Sequence, residues 1–310
     1  MKRLKSRHIL GISHLDAKEI AFILDTAESL KEILERPIKK VPPLRGKTIV
    51  HLFFEPSTRT KLSFELAAKR LSADTVSISK TTSSVVKGET LIDTARNIEA
   101  MKPDIIVMRH SMTGAPHLLT NYIDSAVINA GDGINEHPSQ ALLDLFSVRE
   151  HFGHIEGLNI TIVGDILHSR VAHSDIMAFS KMGARVKVCG PATMMPPAIE
   201  RLGCKVVLDL REAIKDADVV MALRIQKERQ GMALFPSDRE YARVFGLDIN
   251  IFSMLKDDCV IMHPGPINRG VEMSHEVADS DRSIILDQVT NGVAVRMALF
   301  TLLLAEPRQE

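Results

Sequence analysis

The sequence predicts an α/β protein made of two doubly wound parallel-sheet domains joined by helices, with the active site in the cleft between them. Two observations carry that prediction. Short runs of β-branched and aliphatic residues alternate with segments of helical period along nearly the whole chain, the pattern of βα units whose right-handed crossovers build a parallel sheet. At 310 residues, the chain also exceeds one core of about 150 residues, so the series divides in two.

The first helix is expected over residues 16–35, where Ile20, Ile23, Leu24, Ala27, Leu30, Ile33 and Leu34 recur at steps of three and four. Ser13 and Asp16 are spaced as a capping box for it, and Pro37, Pro42 and Pro43 end it. Residues 47–54 (KTIVHLFF) form an apolar, β-branched run, read as a buried strand. Similar runs at 75–78, 104–108 and 126–129 complete a first series, with a helical pattern at 89–101 among them. A second series follows at 159–163, 185–188, 205–208, 219–222 and 259–262. Residues 138–152 have a helical pattern with no flexible linker on either side and read as the bridge. The last helix, 287–304, is expected to pack back on the first domain. The predicted division places 1–137 and 288–310 in one domain and 138–287 in the other.

Composition narrows the function classes. Lys plus Arg and Asp plus Glu balance at 39 each, so no general basic field exists to hold nucleic acid or an anionic membrane, and any anion site is local. Cys189, Cys204 and Cys259 are odd in number and outside any CxxC pattern, which argues against a disulfide framework and fits a reducing cytoplasm. The basic start lacks a secretory apolar stretch, and no run of about 18 apolar residues occurs, so neither export nor membrane spanning is expected. His168 and His173, or His151 and His154, lack a Glu or Cys to complete a metal set. No metal and no cofactor are expected.

The strongest local signal is the segment FFEPSTRTKLSFE at 53–65, a strand, a turn and a helix opening with hydroxyls and an arginine. Amides in the first helical turn have no intrahelical partners, Ser57, Thr58 and Thr60 add donors, and Arg59 adds a fork, so the segment suits a phosphate. The competing reading is ordinary N-capping by Ser57 or Thr58. Downstream, TTSSVVKGET at 81–90 is a polar loop with Lys87 before a glycine, or simply a solvated loop that begins a helix. Arg109 ends a strand in MRH, and His137 and Gln140 stand in HPSQ after NAGDG, positions where ligands bind in such sheets. There an arginine can hold a carbonyl or phosphate oxygen and a histidine can support a developing oxyanion. A surface ion pair for Arg109 and a capping role for His137 are the alternatives. In the second half, Arg170 and Arg224 follow strands and suit a dicarboxylate through bidentate contacts, or else form exposed ion pairs. Pro264-Gly265-Pro266 could be a plain turn.

In this order, FxEPSTRTxxSFE, KGET, MRH, HPSQALLDL, SRVAHS, RxQxER and HPGP make the chain resemble the aspartate carbamoyltransferase catalytic chains over nearly its whole length. The resemblance implies transfer of the carbamoyl group of carbamoyl phosphate to the α-amine of L-aspartate, an early step of pyrimidine biosynthesis. By it, Ser57, Thr58, Arg59 and Thr60 bind the phosphate, Arg109 and His137 face the carbamoyl oxygen, and Gln140 meets the carbamoyl amide. Arg170, Arg224 and Gln226 bind aspartate. Pro264 and Gly265 line the carbamoyl-phosphate side of the site, and Gly265 and Pro266 the aspartate side. Gly265 stands where some members carry leucine, and its backbone carbonyl can still serve. Ser83 and Lys87 reach into a neighbouring subunit, which implies a homotrimer with shared sites. The catalytic set is Arg59, Thr60, Lys87, Arg109 and His137. Dihydroorotase or regulatory chains remain open as further partners, since contact surfaces leave no motif.

Three other readings compete with this one. Ornithine carbamoyltransferases share the phosphate cradle but carry a cysteine in an HCLP turn and lack KGET. A nicotinamide-dependent dehydrogenase would need a GxGxxG fingerprint, which the 163–165 turn does not provide. A non-catalytic assembly subunit would not need an intact candidate for every role.

Overall fold

The computed structural model describes residues 4–79, 89–226 and 234–304. In chain order the elements are α1 (Ala17–Lys31), β1 (Thr48–Phe53), α2 (Thr58–Arg70), β2 (Asp74–Ser79), α3 (Leu91–Glu99), β3 (Ile105–His110), α4 (Ala115–Leu119), β4 (Ala126–Asp132) and α5 (Pro138–Phe152). There follow β5 (Asn159–Val163), α6 (Arg170–Lys181), β6 (Arg185–Cys189), β7 (Cys204–Val206), α7 (Leu210–Ile214), β8 (Val219–Ala222), α8 (Asp238–Phe245), α9 (Ile249–Phe252), β9 (Val260–Met262), α10 (His275–Ala278) and α11 (Ile285–Leu303).

The chain divides into two compact units, Met1–Phe146 with Val289–Glu310, and Ser147–Gln288. Unit 1 holds a parallel sheet of order β2-β1-β3-β4. β1 is buried at every position after its first residue, as expected for a parallel strand covered on both faces. On one face Val50, Leu52, Ile106, Met108 and Val127 pack with Ala95 and Ile98 of α3 and Ala115 and Leu119 of α4. The outer side of β4 is closed by Ile9, whose amide donates to Val127 and whose carbonyl accepts from Asn129. Covering that edge removes a template for unwanted strand pairing.

Unit 2 holds a parallel sheet of order β7-β6-β5-β8-β9. Val163, Val220, Ala222 and Ile261 form one core with Leu210, Ala213 and Ile214 of α7 and with Leu247, Leu255 and Val277. Among the described residues no helix is long and apolar enough to cross a membrane.

Two local expectations are corrected. The capping box of α1 is Asp16 with Glu19, each side chain bonding the other's backbone amide, and Ser13 instead donates its hydroxyl to Glu136 at 2.7 Å. The periodic stretch over 16–35 is not one helix, because Glu32–Glu35 tightens into a 3-10 turn before the proline-rich segment, a common way for helices to end.

Candidate active site

In unit 1 the chain passes from β1 to β2 on one side and then returns to β3 on the other. Connections leaving adjacent strands in opposite directions open a crevice at their C-terminal ends, where open α/β sheets take ligands. The turn at 54–57 carries the chain from β1 into α2 and so lines that crevice. Ser57 occupies the N-cap position, with extended backbone, but its side chain makes no capping bond. The ordinary capping reading of Ser57 is therefore not what the structure shows, and the hydroxyl is left available. The first intrahelical bond runs from Lys61 N to Ser57 O at 3.2 Å, which leaves the Thr58, Arg59 and Thr60 amides without helical acceptors by geometry.

Arg109 stands opposite Phe53 in the ladder, and its carbonyl accepts from Phe54 N at 2.9 Å. Its guanidinium lies 3.6 Å from Glu55 and donates from Nη1 to Ala130 O at 3.3 Å. Both partners of this ion pair are largely buried, unlike the surface pair considered from sequence. At the end of β4 the fully buried Asp132 accepts from Asn129 Nδ2 at 2.7 Å, Gly114 N at 2.7 Å and Glu136 N at 3.2 Å. Glu136 in turn accepts from Ile12 N at 2.6 Å. These carboxylates pin the loop that delivers His137 and Gln140 to the start of α5, both buried. His137 Nδ1 lies 3.5 Å from Ser139 Oγ, and Gln140 Nε2 donates to Asp144.

Unit 2 repeats the arrangement, since β5 leads to β6 and β7 on one side and β8 and β9 lie on the other. Gly164, just after β5, has φ +140°, and a Cβ there would stand 2.9 Å from Leu223 Cβ. Only glycine lets the turns after β5 and β8 pass so closely. Buried Asp165 accepts from His168 N at 3.2 Å and lies 2.9 Å from its Nδ1. Ser169 caps α6 by accepting from Ala172 N at 3.1 Å. Arg170 opens α6 at 3% exposure, so an exposed ion pair does not describe it. Arg224 Nη2 donates to Gln226 Oε1 at 3.1 Å in the turn after β8.

After β9, buried His263 accepts at Nδ1 from Gly265 N at 2.8 Å and donates its own amide to Gln288 Oε1 at 3.0 Å. Accepting at Nδ1 places the ring proton on Nε2, which lies 3.3 Å from Glu272. Pro264 and Gly265 are half-buried, Pro266 is exposed, and the Gly265–Pro266 peptide is cis.

The structure thus gathers Ser57, Thr58, Arg59, Thr60, Arg109, His137 and Gln140 at the ends of β1, β3 and β4. It places Arg170, Arg224, Gln226 and the Pro264–Gly265–Pro266 turn at the ends of β5, β8 and β9. Ser83 and Lys87 lie outside the described residues. The sequence reading missed Glu55, Asp132, Asp144, Asp165 and Glu272, carboxylates that brace polar groups at these strand ends. Glu55 was the most findable, because it stands inside the EPSTRT segment as the anion nearest in sequence to an otherwise cationic turn. Burial pushes the Cys189 and Cys259 thiols up to about 12 and Cys204 to about 11. None of them is an activated nucleophile. No cluster of metal-ligating side chains occurs among the described residues.

Family models match the chain in two successive parts. Residues 7–150 match the family model for the aspartate/ornithine carbamoyltransferase, carbamoyl-P binding domain, and residues 156–303 match that for the Asp/Orn binding domain. A relative from Desulforapulum autotrophicum, named aspartate carbamoyltransferase catalytic subunit, is 64% identical over 97% of this chain and 96% of its own. A likewise named chain from Geobacter sulfurreducens is 62% identical over 95% of each. Among solved structures, aspartate transcarbamoylase from Trypanosoma cruzi in complex with N-(phosphonacetyl)-L-aspartic acid superposes with a TM-score of 0.90 at 29% identity, over 97% of both chains. Ornithine carbamoyltransferase from Pyrococcus furiosus gives 0.87 at 30%, over 97% of this chain and 98% of its own. With family models matched across both halves and relatives this similar over nearly the full length, the chain belongs to the aspartate/ornithine carbamoyltransferase family.

Proposed function

We infer that this chain is the catalytic chain of an aspartate carbamoyltransferase, which makes N-carbamoyl-L-aspartate and phosphate from carbamoyl phosphate and L-aspartate at an early step of pyrimidine biosynthesis. The observation that carries this reading is the pairing of chemistries at the two switch points. An uncapped helix N-terminus with hydroxyls and Arg59 stands in unit 1, and Arg170 and Arg224 stand in unit 2. The names of the relatives at 62–64% identity support aspartate as the acceptor.

In this reading Ser57, Thr58, Arg59 and Thr60 hold the phosphate, whose charge suits the positive end of α2. The neutral α-amine of aspartate attacks the carbamoyl carbon. Thr60, Arg109 and His137 support the tetrahedral oxyanion, and Gln140 meets the carbamoyl amide. Glu55 keeps Arg109 aligned without neutralising every donor on its fork. Phosphate then leaves and can itself accept the amine proton, so no covalent enzyme intermediate is required. Orientation and charge stabilisation supply the acceleration. Arg170, Arg224 and Gln226 grip the two carboxylates of aspartate, with the Pro264–Pro266 turn lining the site. The three free thiols fit a cytoplasmic protein.

A colourimetric assay for carbamoyl aspartate tests the activity, with ornithine as the control acceptor. Product from aspartate and none from ornithine is the expected result, and the reverse preference would refute it. Arg224→Ala should raise the aspartate KM by about tenfold or more, the loss of a charge-assisted pair, while calorimetric binding of carbamoyl phosphate stays nearly unchanged. Equal weakening of both ligands would remove Arg224 from the aspartate site.

The same reading makes the assembly a homotrimer in which Ser83 and Lys87 complete a neighbour's site, supported by the resemblance of the KGET segment. Lys87→Ala and Arg59→Ala chains should each be nearly inactive alone. Mixed under conditions that exchange subunits, they should regain a minority of wild-type activity, because some interfaces then pair an intact Lys87 with an intact Arg59. If mass spectrometry verifies exchange and activity stays at the parental level, the loop acts within its own subunit.

A further inference from the structure

Gln140 and Asp144 lie one helical turn apart on α5, and Gln140 Nε2 donates to both Asp144 oxygens, at 3.1 and 3.2 Å. A carboxylate only accepts, so this contact fixes which end of the amide faces it. Oε1, on the same planar group, is thereby turned the other way, and no hydrogen bond to it is found among the described residues.

Asp144 is itself fully buried. A lone buried carboxylate tends to take up a proton, and a protonated Asp144 could donate to the amide and let it sit either way round. The opposing charge comes from Arg296 on α11, also buried and electrostatically attracted to Asp144. Its guanidinium lies 4.8 Å from the centre of the Phe64 ring and donates from Nη1 to Ser63 Oγ at 2.9 Å. Burial brings Arg296 down to about 10, which still leaves it cationic at neutral pH. Gly292 makes room for it, since a Cβ there would stand 2.4 Å from Arg296 Nη1. A buried cation with a glycine cleared for it would be an expensive way to fill a core. It is explained if the anion it faces must stay an anion.

We propose that Asp144, charge-matched by Arg296, is a positioning residue that turns the Gln140 carbonyl toward the carbamoyl nitrogen and so makes the site select carbamoyl over acyl groups that lack an N–H. This rests on the reading of Gln140 as the partner of the carbamoyl amide. An acetyl group puts a methyl where the carbamoyl group has its amine. The buried carbonyl of Gln140 would then face no donor, the kind of mismatch that polar sites reject strongly.

The test compares acetyl phosphate with carbamoyl phosphate as ligands of the full-length enzyme, with inorganic phosphate as the control for the cradle. Asp144→Ala should lower the preference for carbamoyl over acetyl phosphate by about tenfold, the worth of one hydrogen bond to a buried group, while inhibition by inorganic phosphate is unchanged. Because that variant strands the Arg296 charge, Asp144→Ala/Arg296→Met is measured beside it and should show the same drop in preference from a neutral, folded core. An unchanged preference in the double variant overturns the proposal, as does a parallel loss of phosphate binding with the preference intact, which would mark a merely structural role. Gln140→Ala separates the two levels. If it leaves the preference unchanged, the reading of Gln140 falls and the proposal with it, whereas a lowered preference in Gln140→Ala but not in the Asp144 variants overturns the proposal alone.

Discussion

Arg59→Ala is expected to cut turnover by about a hundredfold or more, in line with the loss of a preorganised donor to transition-state charge, without unfolding the protein. The physical grounds are local. Arg59 is exposed in the first turn of α2, where it supports no core packing, and alanine is a better helix former than arginine. What the substitution removes is a fixed cation beside amides that have no helical acceptors. Phosphate binding should weaken together with turnover, because the same fork serves ground state and leaving group. Steady-state kinetics and thermal unfolding of the variant check this, and a near-normal rate from a folded protein would remove Arg59 from the phosphate site.

Acid should destabilise unit 1 through a single histidine, by about half the margin of a weakly stable domain. His51 lies in the middle of β1, fully buried, tilted against the Phe64 ring at 6.4 Å between centroids. Apart from a weak contact to the Val76 backbone, its ring nitrogens have no well-formed hydrogen bond among the described residues. Burial pushes its pKa down to about 4, with Glu65 opposing and Lys61 and Lys69 adding to the shift. An unfolded histidine titrates near 6.5, so between these values the unfolded chain binds a proton that the folded chain refuses. Stability therefore falls as pH drops through that window. At pH 4.5 the cost relative to pH 7.5 is about 2.5 kcal/mol. Urea unfolding of wild type and His51→Leu at the two pH values measures it. The variant should lose less stability on acidification by about that amount, and identical losses in the two proteins would rule the explanation out.

The sequence by itself determined the alternation of strands and helices, because a strand buried on both faces must read as a continuous apolar run and a helix packed on it must show a period near 3.6. The run at 47–54 therefore located β1, and residues 159–163 and 219–222 located β5 and β8 at their observed bounds. It also brought together the amides, hydroxyls and Arg59 at the start of α2, since they are contiguous in one strand–turn–helix segment. The structure added what depends on groups remote in sequence. Strand order decided that the turn at 54–57 and Arg109 share a crevice, because nothing local in β1 or β3 says they are neighbours. Long-range partners decided the state of the polar groups. Glu55 aligns Arg109, Glu136 takes the Ser13 hydroxyl that sequence spacing had assigned to a helix cap, and Asp144 orients Gln140 opposite a cation more than a hundred residues away on α11. Short-range periodicity records which face of an element is apolar, but the partner of a buried charge is chosen by where the completed fold brings an opposite charge within reach, and that leaves no local trace in the sequence.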